Sequence, residues 1–272
     1  MTLILLPPFR RFAHAHQWLD EPDGKRKIHT ESIPRVGGLA IWFGVVAALA
    51  INRIMSPEVF GMAPGPSALS LLYLLAGATV AILTGVLDDI YQIRARYKLL
   101  GQFFSVLPFL LCPEVVAGVA ALLGGGQLAT ILAYPLILGW GIFMMNAFNL
   151  IDGMDGLAGG VGFIAVAFLL MMGGLPVPVV VVCLALMGGL LAFLRHNLPP
   201  ARVFMGDAGS LMIGYVLAML GLLSLAADPT WPRALGIWTI LAIPLLDATM
   251  TIVRRLARRR DPFAPDREHL HH

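Results

Sequence analysis

The sequence predicts an all-α polytopic membrane protein: a bundle of about eight full transmembrane helices plus a partial first helix, with the final helix or helices missing. Three observations predict it. Hydrophobic residues make up 58% of the 272-residue chain and charged residues only 13%, and the mean hydropathy of +0.81 lies far outside the range of ordinary globular domains. Apolar windows of about 20 residues, the length a helix needs to cross hydrocarbon, recur along the whole chain. The basic residues fall almost entirely in alternate loops.

Met1 to Ala15 is too short to cross a bilayer and reads as the tail of a helix whose beginning is absent. The apolar windows then lie near 36–52, 67–87, 99–120, 127–148, 157–175, 177–194, 208–227 and 233–253. No sizeable soluble domain fits beside them, so the expectation is a single integral-membrane domain over 1–272, truncated at both ends. Cys112 and Cys183 fall inside apolar runs, where a thiol behaves as a small hydrophobe, and imply neither a disulfide nor a cysteine metal site. Of 19 lysines and arginines, 17 lie in one set of loops, around Arg10, Lys25 to Arg35, Arg94 to Lys98, Arg195, Arg202 and Arg254 to Arg267, while only Arg53 and Arg233 lie in the other. By the positive-inside rule the first set faces the cytoplasm. The arginine run after Arg254 serves mainly as a topology anchor to anionic headgroups.

The polar groups that interrupt the apolar pattern gather on that same face. Asn146, Asn149, Asp152 and Asp155 recur every three residues, a spacing that lines them along one side of a helix. The glycines around them allow close approach of a ligand. A capped helix end with Asp152 or Asp155 as the next N-cap is the bland alternative, but two amides and two acids exceed what a cap needs, and polar clusters in membrane segments are functional by default. Lys27 to Gly38, with His29 and Arg35, forms a basic, glycine-opened helix start that suits a phosphate. Asp88 and Asp89, adjacent at a helix end, must be neutralised by a proton, a cation or a basic partner. A divalent metal or shared proton answers that need, or a pairing with Arg94 or Arg96, and Lys98 follows in the same loop. Asp207, on a glycine-lined turn before an apolar helix, is either an N-cap or a hard-cation ligand, and Phe204 offers a ring to a base. Asp247, inside the last apolar window, is either paired within the bundle or functional. His269, His271 and His272 are phosphate donors, metal ligands or the remnant of an affinity tag.

Taken together, from about Lys25 to His272, these segments resemble the polyprenyl-phosphate N-acetylhexosamine-1-phosphate transferase family, whose bacterial members include WecA-type and MraY-type enzymes. The motifs appear in family order: Asp88-Asp89, then Asn146, Asn149, Asp152 and Asp155, then Phe204-Met205-Gly206-Asp207, then His269-Leu270-His271-His272. The resemblance implies that the phosphate of a polyprenyl phosphate attacks the β-phosphorus of a UDP-sugar and UMP leaves. It implies Mg²⁺, or Mn²⁺, on Asp207 with Asp155, and assigns Asp88 and Asp89 to the lipid phosphate or its proton. Asn197, Phe204, Asp152 and Asp155 would hold the uridine, with Asn146 and Asn149 beside them. Lys98, His269, His271 and His272 would neutralise phosphate oxygens. Arg202 and the Pro-Phe-Ala-Pro-Asp-Arg lead-in to the histidines resemble the WecA-type branch, which favours UDP-GlcNAc over UDP-MurNAc-pentapeptide. The implied setting is the bacterial cytoplasmic membrane with the site on its cytoplasmic face. The implied partners are a UDP-N-acetylhexosamine, polyprenyl phosphate and the bilayer, with a homodimer as in many enzymes of this type and no nucleic acid. An ion-coupled transporter also places acids in helices, but near the bilayer midplane at broken helices, whereas these acids cluster at helix ends on one face.

Overall fold

Hydrophobic side chains surround the segment Gly206–Ala227 on every side, so it must be enclosed by other helices. In the computed structural model, which describes residues 1–20, 32–56 and 68–257, every residue from Ala208 to Leu225 is buried. The backbone alone is described for Ala68, Arg255 and Leu256.

Around that axis stand the other helices: α1 (Thr2–Ala15), α2 (Gly37–Met55), α3 (Ala68–Tyr91), α4 (Ala95–Val106), α5 (Pro113–Leu122), α6 (Gly126–Ile151), α7 (Leu157–Met171), α8 (Val177–Asn197), the axial α9 (Gly206–Ala227), α10 (Trp231–Ile240) and α11 (Ala242–Ala257). A two-stranded antiparallel pair, β1 (Leu19–Asp20) and β2 (Ile33–Pro34), sits between α1 and α2. The chain is an all-α, multi-pass membrane protein. Five helices, α2, α3, α6, α8 and α9, are long and apolar enough to span a bilayer unbroken among the described residues.

Every apolar window read from the sequence becomes helical, but two of them are not single rods. The window at 99–120 breaks into α4 with a 3₁₀ turn (Leu107–Leu111) and then α5, at 90°, and that at 233–253 into α10 and α11, at 76°. Proline explains both breaks. Pro108 opens the 3₁₀ turn and Pro113 opens α5, where neither needs an N–H. Pro244 would drive its ring against the carbonyl of Ile240 were the helix continuous, so α10 stops there and α11 restarts. The window at 157–175 shortens to α7, below a full span.

Close approach to α9 is made through small residues, as membrane helices require where no hydrophobic gain distinguishes lipid from protein. Gly38 of α2 lies against Gly209, Gly85 of α3 against Ala208, and Gly214 of α9 against the Met144 carbonyl and Phe148 of α6. A few hydrogen bonds reach the axis from outside, such as the indole N–H of Trp140 to the Ala218 carbonyl at 3.2 Å.

A Cβ at Gly38 has no room because backbone, not a flexible side chain, stands in its way. Gly38→Val is expected to lower the thermal midpoint in detergent in step with an overpacking cost of about 1–3 kcal/mol, whereas Gly139→Ala, which meets nothing within 4 Å, should leave it unchanged. Equal midpoints for the two variants would mean that α2 and α9 do not pack on glycine here.

Candidate active site

The alternation of helix directions brings the C-terminal ends of α3, α6 and α8 and the N-terminal ends of α2, α4, α7 and α9 to one end of the bundle. Arg35, Asp88, Lys98, Asn149, Asn197 and Asp207 therefore share that end, far from Arg53 and Arg233.

Asp88 and Asp89 are neighbours in sequence, yet a helix turns by about 100° per residue, so they face different partners. Asp89 turns inward. Its side chain has no exposed surface, and its two oxygens accept the backbone N–H groups of Asp207 at 3.0 Å and Ala208 at 3.1 Å. These are first-turn donors that α9 cannot satisfy itself, so Asp89 is the cap of α9, supplied from another helix. Asp207 sits one residue inside that helix and is not its N-cap. Gly206 stands at φ 74° and a Cβ there would come within 2.7 Å of Asp89 Oδ2, so only glycine admits the capping carboxylate. Behind Asp89, Arg35 approaches Asp89 Oδ1 at 3.7 Å and is ion-paired with Asp20 on β1.

Asp88 faces outward to Lys98, whose ammonium donates to Asp88 Oδ2 at 2.8 Å, to Asn149 Oδ1 at 3.1 Å and to Asp207 Oδ2. Asn149 Nδ2 donates in turn to Asp207 Oδ1 and to Ser210 Oγ, each at 2.9 Å. One turn deeper, Gln102 and Asn146 exchange amide hydrogen bonds at 3.1 and 2.8 Å. Two polar rungs thus join α4 to α6, Lys98 with Asn149 and Gln102 with Asn146. The acids are neutralised by Lys98 and by the α9 amides with Arg35, and the described ion pairs do not include Arg94 or Arg96 with either acid.

Other expected site residues are placed differently. The every-third-residue stripe ends with α6 at Ile151, Asp152 is its C-cap, and Gly156 at φ 78° starts α7. Asp155 is therefore in the turn and not on the stripe, because the chain leaves helical geometry at Asp152 before reaching it. Asp155 Oδ2 accepts the N–H of Ala201 at 3.0 Å. Buried Asn197 accepts the Gly156 N–H at 2.9 Å and donates to the Val203 carbonyl at 3.0 Å. These two residues tie the loop after α8 to the turn after α6. Phe204 contributes main chain: its N–H donates to the Pro34 carbonyl, and its carbonyl accepts the Gly37 N–H at 3.0 Å. Gly38 N–H likewise donates to the Met205 carbonyl. The helix start read as a phosphate seat has these two donors already engaged, and its Arg35 is committed to Asp20 and Asp89. His29, His269, His271 and His272 lie outside the described residues.

Three participants were not read from sequence. Gln102, completely buried, was an isolated polar residue in an apolar window one turn from Lys98, a signal that could have found it. Ser210, three residues after Asp207, was a weaker one. Asp20 carried no signal, because its partner is set by the β1–β2 pairing.

Among the described residues no group of three His, Cys, Asp or Glu side chains is arranged to hold a metal. Asp88, Asp207 and the Asn149 carbonyl oxygen nonetheless converge on one cationic point, now the Lys98 ammonium. Hard oxygen donors with few carboxylates suit Mg²⁺, which completes its shell with water and phosphate. Such a cluster can neutralise and align phosphate groups.

The model of the family described as glycosyl transferase family 4 matches residues 71–225. The chain is similar, at 35% identity covering 100% of it and 73% of the relative, to a probable undecaprenyl-phosphate N-acetylglucosaminyl 1-phosphate transferase of Bacillus subtilis strain 168. It is 31% identical, over 91% of the chain and 68% of the relative, to a decaprenyl-phosphate N-acetylglucosaminephosphotransferase of Mycobacterium leprae. It is also 31% identical, over 100% of the chain and 72% of the relative, to the undecaprenyl-phosphate alpha-N-acetylglucosaminyl 1-phosphate transferase of Escherichia coli K12.

Burial, reinforced by the negative charges of Asp207 and Asp89 and opposed by Arg35, holds the Asp152 carboxyl well above the usual carboxylate range. The native state keeps a proton there that the unfolded chain has lost, so stability falls as pH rises from the ordinary carboxylate value towards the folded one. Asp152→Asn removes that loss. Its thermal midpoint should exceed that of the parent by a margin that widens as pH rises above the ordinary carboxylate value; a constant margin would show that burial does not hold the proton on Asp152.

Proposed function

This chain belongs to glycosyl transferase family 4, and on that premise we propose that it transfers an N-acetylhexosamine-1-phosphate, GlcNAc-1-phosphate by preference, from a UDP-sugar to a polyprenyl phosphate. An oxygen of the lipid phosphate forms a bond to the β-phosphorus of the donor. The bond from that phosphorus to the bridging oxygen breaks, UMP departs with the electron pair, and a lipid diphosphate sugar stays in the bilayer for use in cell-envelope polysaccharide synthesis.

The observation that carries this reading is the convergence of Asp88, Lys98, Asn149 and Asp207 at one end of a membrane bundle. Phosphoryl transfer between two anions needs charge neutralisation and alignment more than covalent help. Asp207 and Asp88, with Asn149 Oδ1, would hold Mg²⁺, with Mn²⁺ as the alternative. The ion, when bound, supplies positive charge to the diphosphate oxygens. Lys98, on the same carboxylates, is within reach of a phosphate brought to them. Asp89 keeps Asp207 in place through the N-terminus of α9, and Asp152 with the turn after α6 faces the same cluster for the nucleotide. His269, His271 and His272 are assigned to phosphate contacts by the family resemblance, and His29 by its place in the basic segment that leads into α2. The distribution of lysine and arginine supports a site on the cytoplasmic face, and the relatives' names favour GlcNAc as the sugar.

Membranes holding the protein, given polyprenyl phosphate, Mg²⁺ and UDP-GlcNAc, should release UMP, with UDP-MurNAc-pentapeptide a far poorer donor. Release from the pentapeptide donor alone would move the chain to the peptidoglycan branch. Asp207→Asn preserves size and most hydrogen bonding while removing charge, and should lose at least ~100-fold in rate, about 2.7 kcal/mol of transition-state stabilisation. Normal turnover with an unchanged Mg²⁺ requirement would exclude Asp207 as a ligand.

Orientation has its own check. Cysteines placed at Arg53 and Arg202 and treated in intact cells with an impermeant thiol reagent should label at 53 only. Labelling at 202 alone would turn the protein over.

A further inference from the structure

A second gathering of cations lies on the same face, away from the Lys98 cluster. The last turns of α1 present Pro7, Arg10, Arg11 and His14 around an open cleft of about 490 Å³. Arg10 is half-buried, and its Nε is enclosed without a hydrogen-bond partner. Along its length α1 packs on α8, whose final turn carries Arg195 and His196. The Arg202 N–H donates to the His196 carbonyl at 2.8 Å, and the charges of Arg10, Arg195 and Arg202 all act on the His196 ring. None of these three guanidiniums is ion-paired among the described residues. This contrasts with Lys98 and Arg35, each of which holds two carboxylates.

Like charges gathered without a counter-charge repel, and an enclosed guanidinium N–H without an acceptor costs free energy that an anion from outside would recover. The neighbourhood identifies that anion. Ile4, 70% exposed, and Leu3, 48% exposed, lie one to two turns further along α1 from Arg10, and Leu191, 54% exposed, lies one turn below Arg195 on α8. The cations therefore stand directly above an apolar surface turned to the hydrocarbon, the order in which a lipid presents its phosphate and its chains. We propose that the cleft at the end of α1 binds the anionic headgroup of a bilayer glycerophospholipid, its phosphate on Arg10 with Arg11 at the rim, and that Arg195 on the neighbouring last turn of α8 adds positive charge to the same site. Arginine suits this task because its planar fork can hold two phosphate oxygens at once. The site does not depend on the proposed transfer reaction, and none of the residues that line the cleft is among those assigned to it.

The test is native mass spectrometry of the full chain released from vesicles of equal phosphatidylglycerol and phosphatidylcholine. The parent protein should retain phosphatidylglycerol in preference. Arg10→Gln with Arg195→Gln should cut that preference by about tenfold, Arg10→Lys with Arg195→Lys should cut it less, and Arg94→Gln with Arg96→Gln, elsewhere on the same face, should leave it intact. UMP release by the Arg10/Arg195 glutamine variant should stay at the parent rate, so loss of lipid retention and loss of turnover are separate readings. Three results would overturn the proposal: an unchanged preference in the glutamine variant, an equal drop in the Arg94/Arg96 control, or displacement of the lipid by inorganic phosphate or by polyprenyl phosphate in place of phosphatidylglycerol.

Discussion

The carboxylate of Asp89, seated on the backbone N–H groups of Asp207 and Ala208, is the interaction on which the rest of the site depends. A helix enclosed on every side cannot leave its first amides to water, and α9 is enclosed from Ala208 onward. A capping side chain within its own sequence would have solved that problem locally. Supplying the cap from α3 instead solves it while pinning two helices to each other at the membrane edge. The direction in which Asp207 projects follows from that pin.

Once Asp89 is committed inward, the adjacent Asp88 must face elsewhere, and the turn of the helix sends it to Lys98. A pair of acids that looked like one feature in the sequence thereby divides into a positioning group and a group open to ligands. The polar rungs between α4 and α6 extend the same economy. Gln102 and Asn146 satisfy each other completely within an apolar setting, where an unpaired amide would be costly, and they set the rotation of α4 that lets Lys98 reach Asn149 and Asp207. The pieces of the site thus come from helices that meet only when the whole bundle has assembled.

Loops on the same face follow a different rule. Asn197, Asp155 and the main chain of Phe204 join the loop after α8 to the turns on either side of it, which fixes the backbone that delivers Gly206 and Asp207 to Asp89. The residues that the resemblance assigns to the nucleotide thus also hold the loop, and the glycine-opened start of α2 gives two of its amides to that loop.

Much of this was already determined by the amino-acid sequence. Long apolar runs dictate membrane helices because hydrocarbon offers the backbone no partner but itself. The segregation of cations orders the segments into alternating directions, which is enough to place Asp88, Asn149 and Asp207 at one end. Proline at 113 and 244 marked where windows 99–120 and 233–253 bend, although hydropathy averaged over a window cannot register a break. Which acid turns inward, and that Asp155 leaves the stripe of Asn146 and Asn149, was decided only in three dimensions. So were the pairing of Arg35 with Asp20 and Asp89 and the capping of α9 from α3. These depend on helix rotation and on contacts between separate elements, 118 positions apart in the case of Asp89 and Asp207, and a linear pattern records the angle of a residue on its own helix but not which neighbouring element will stand opposite it.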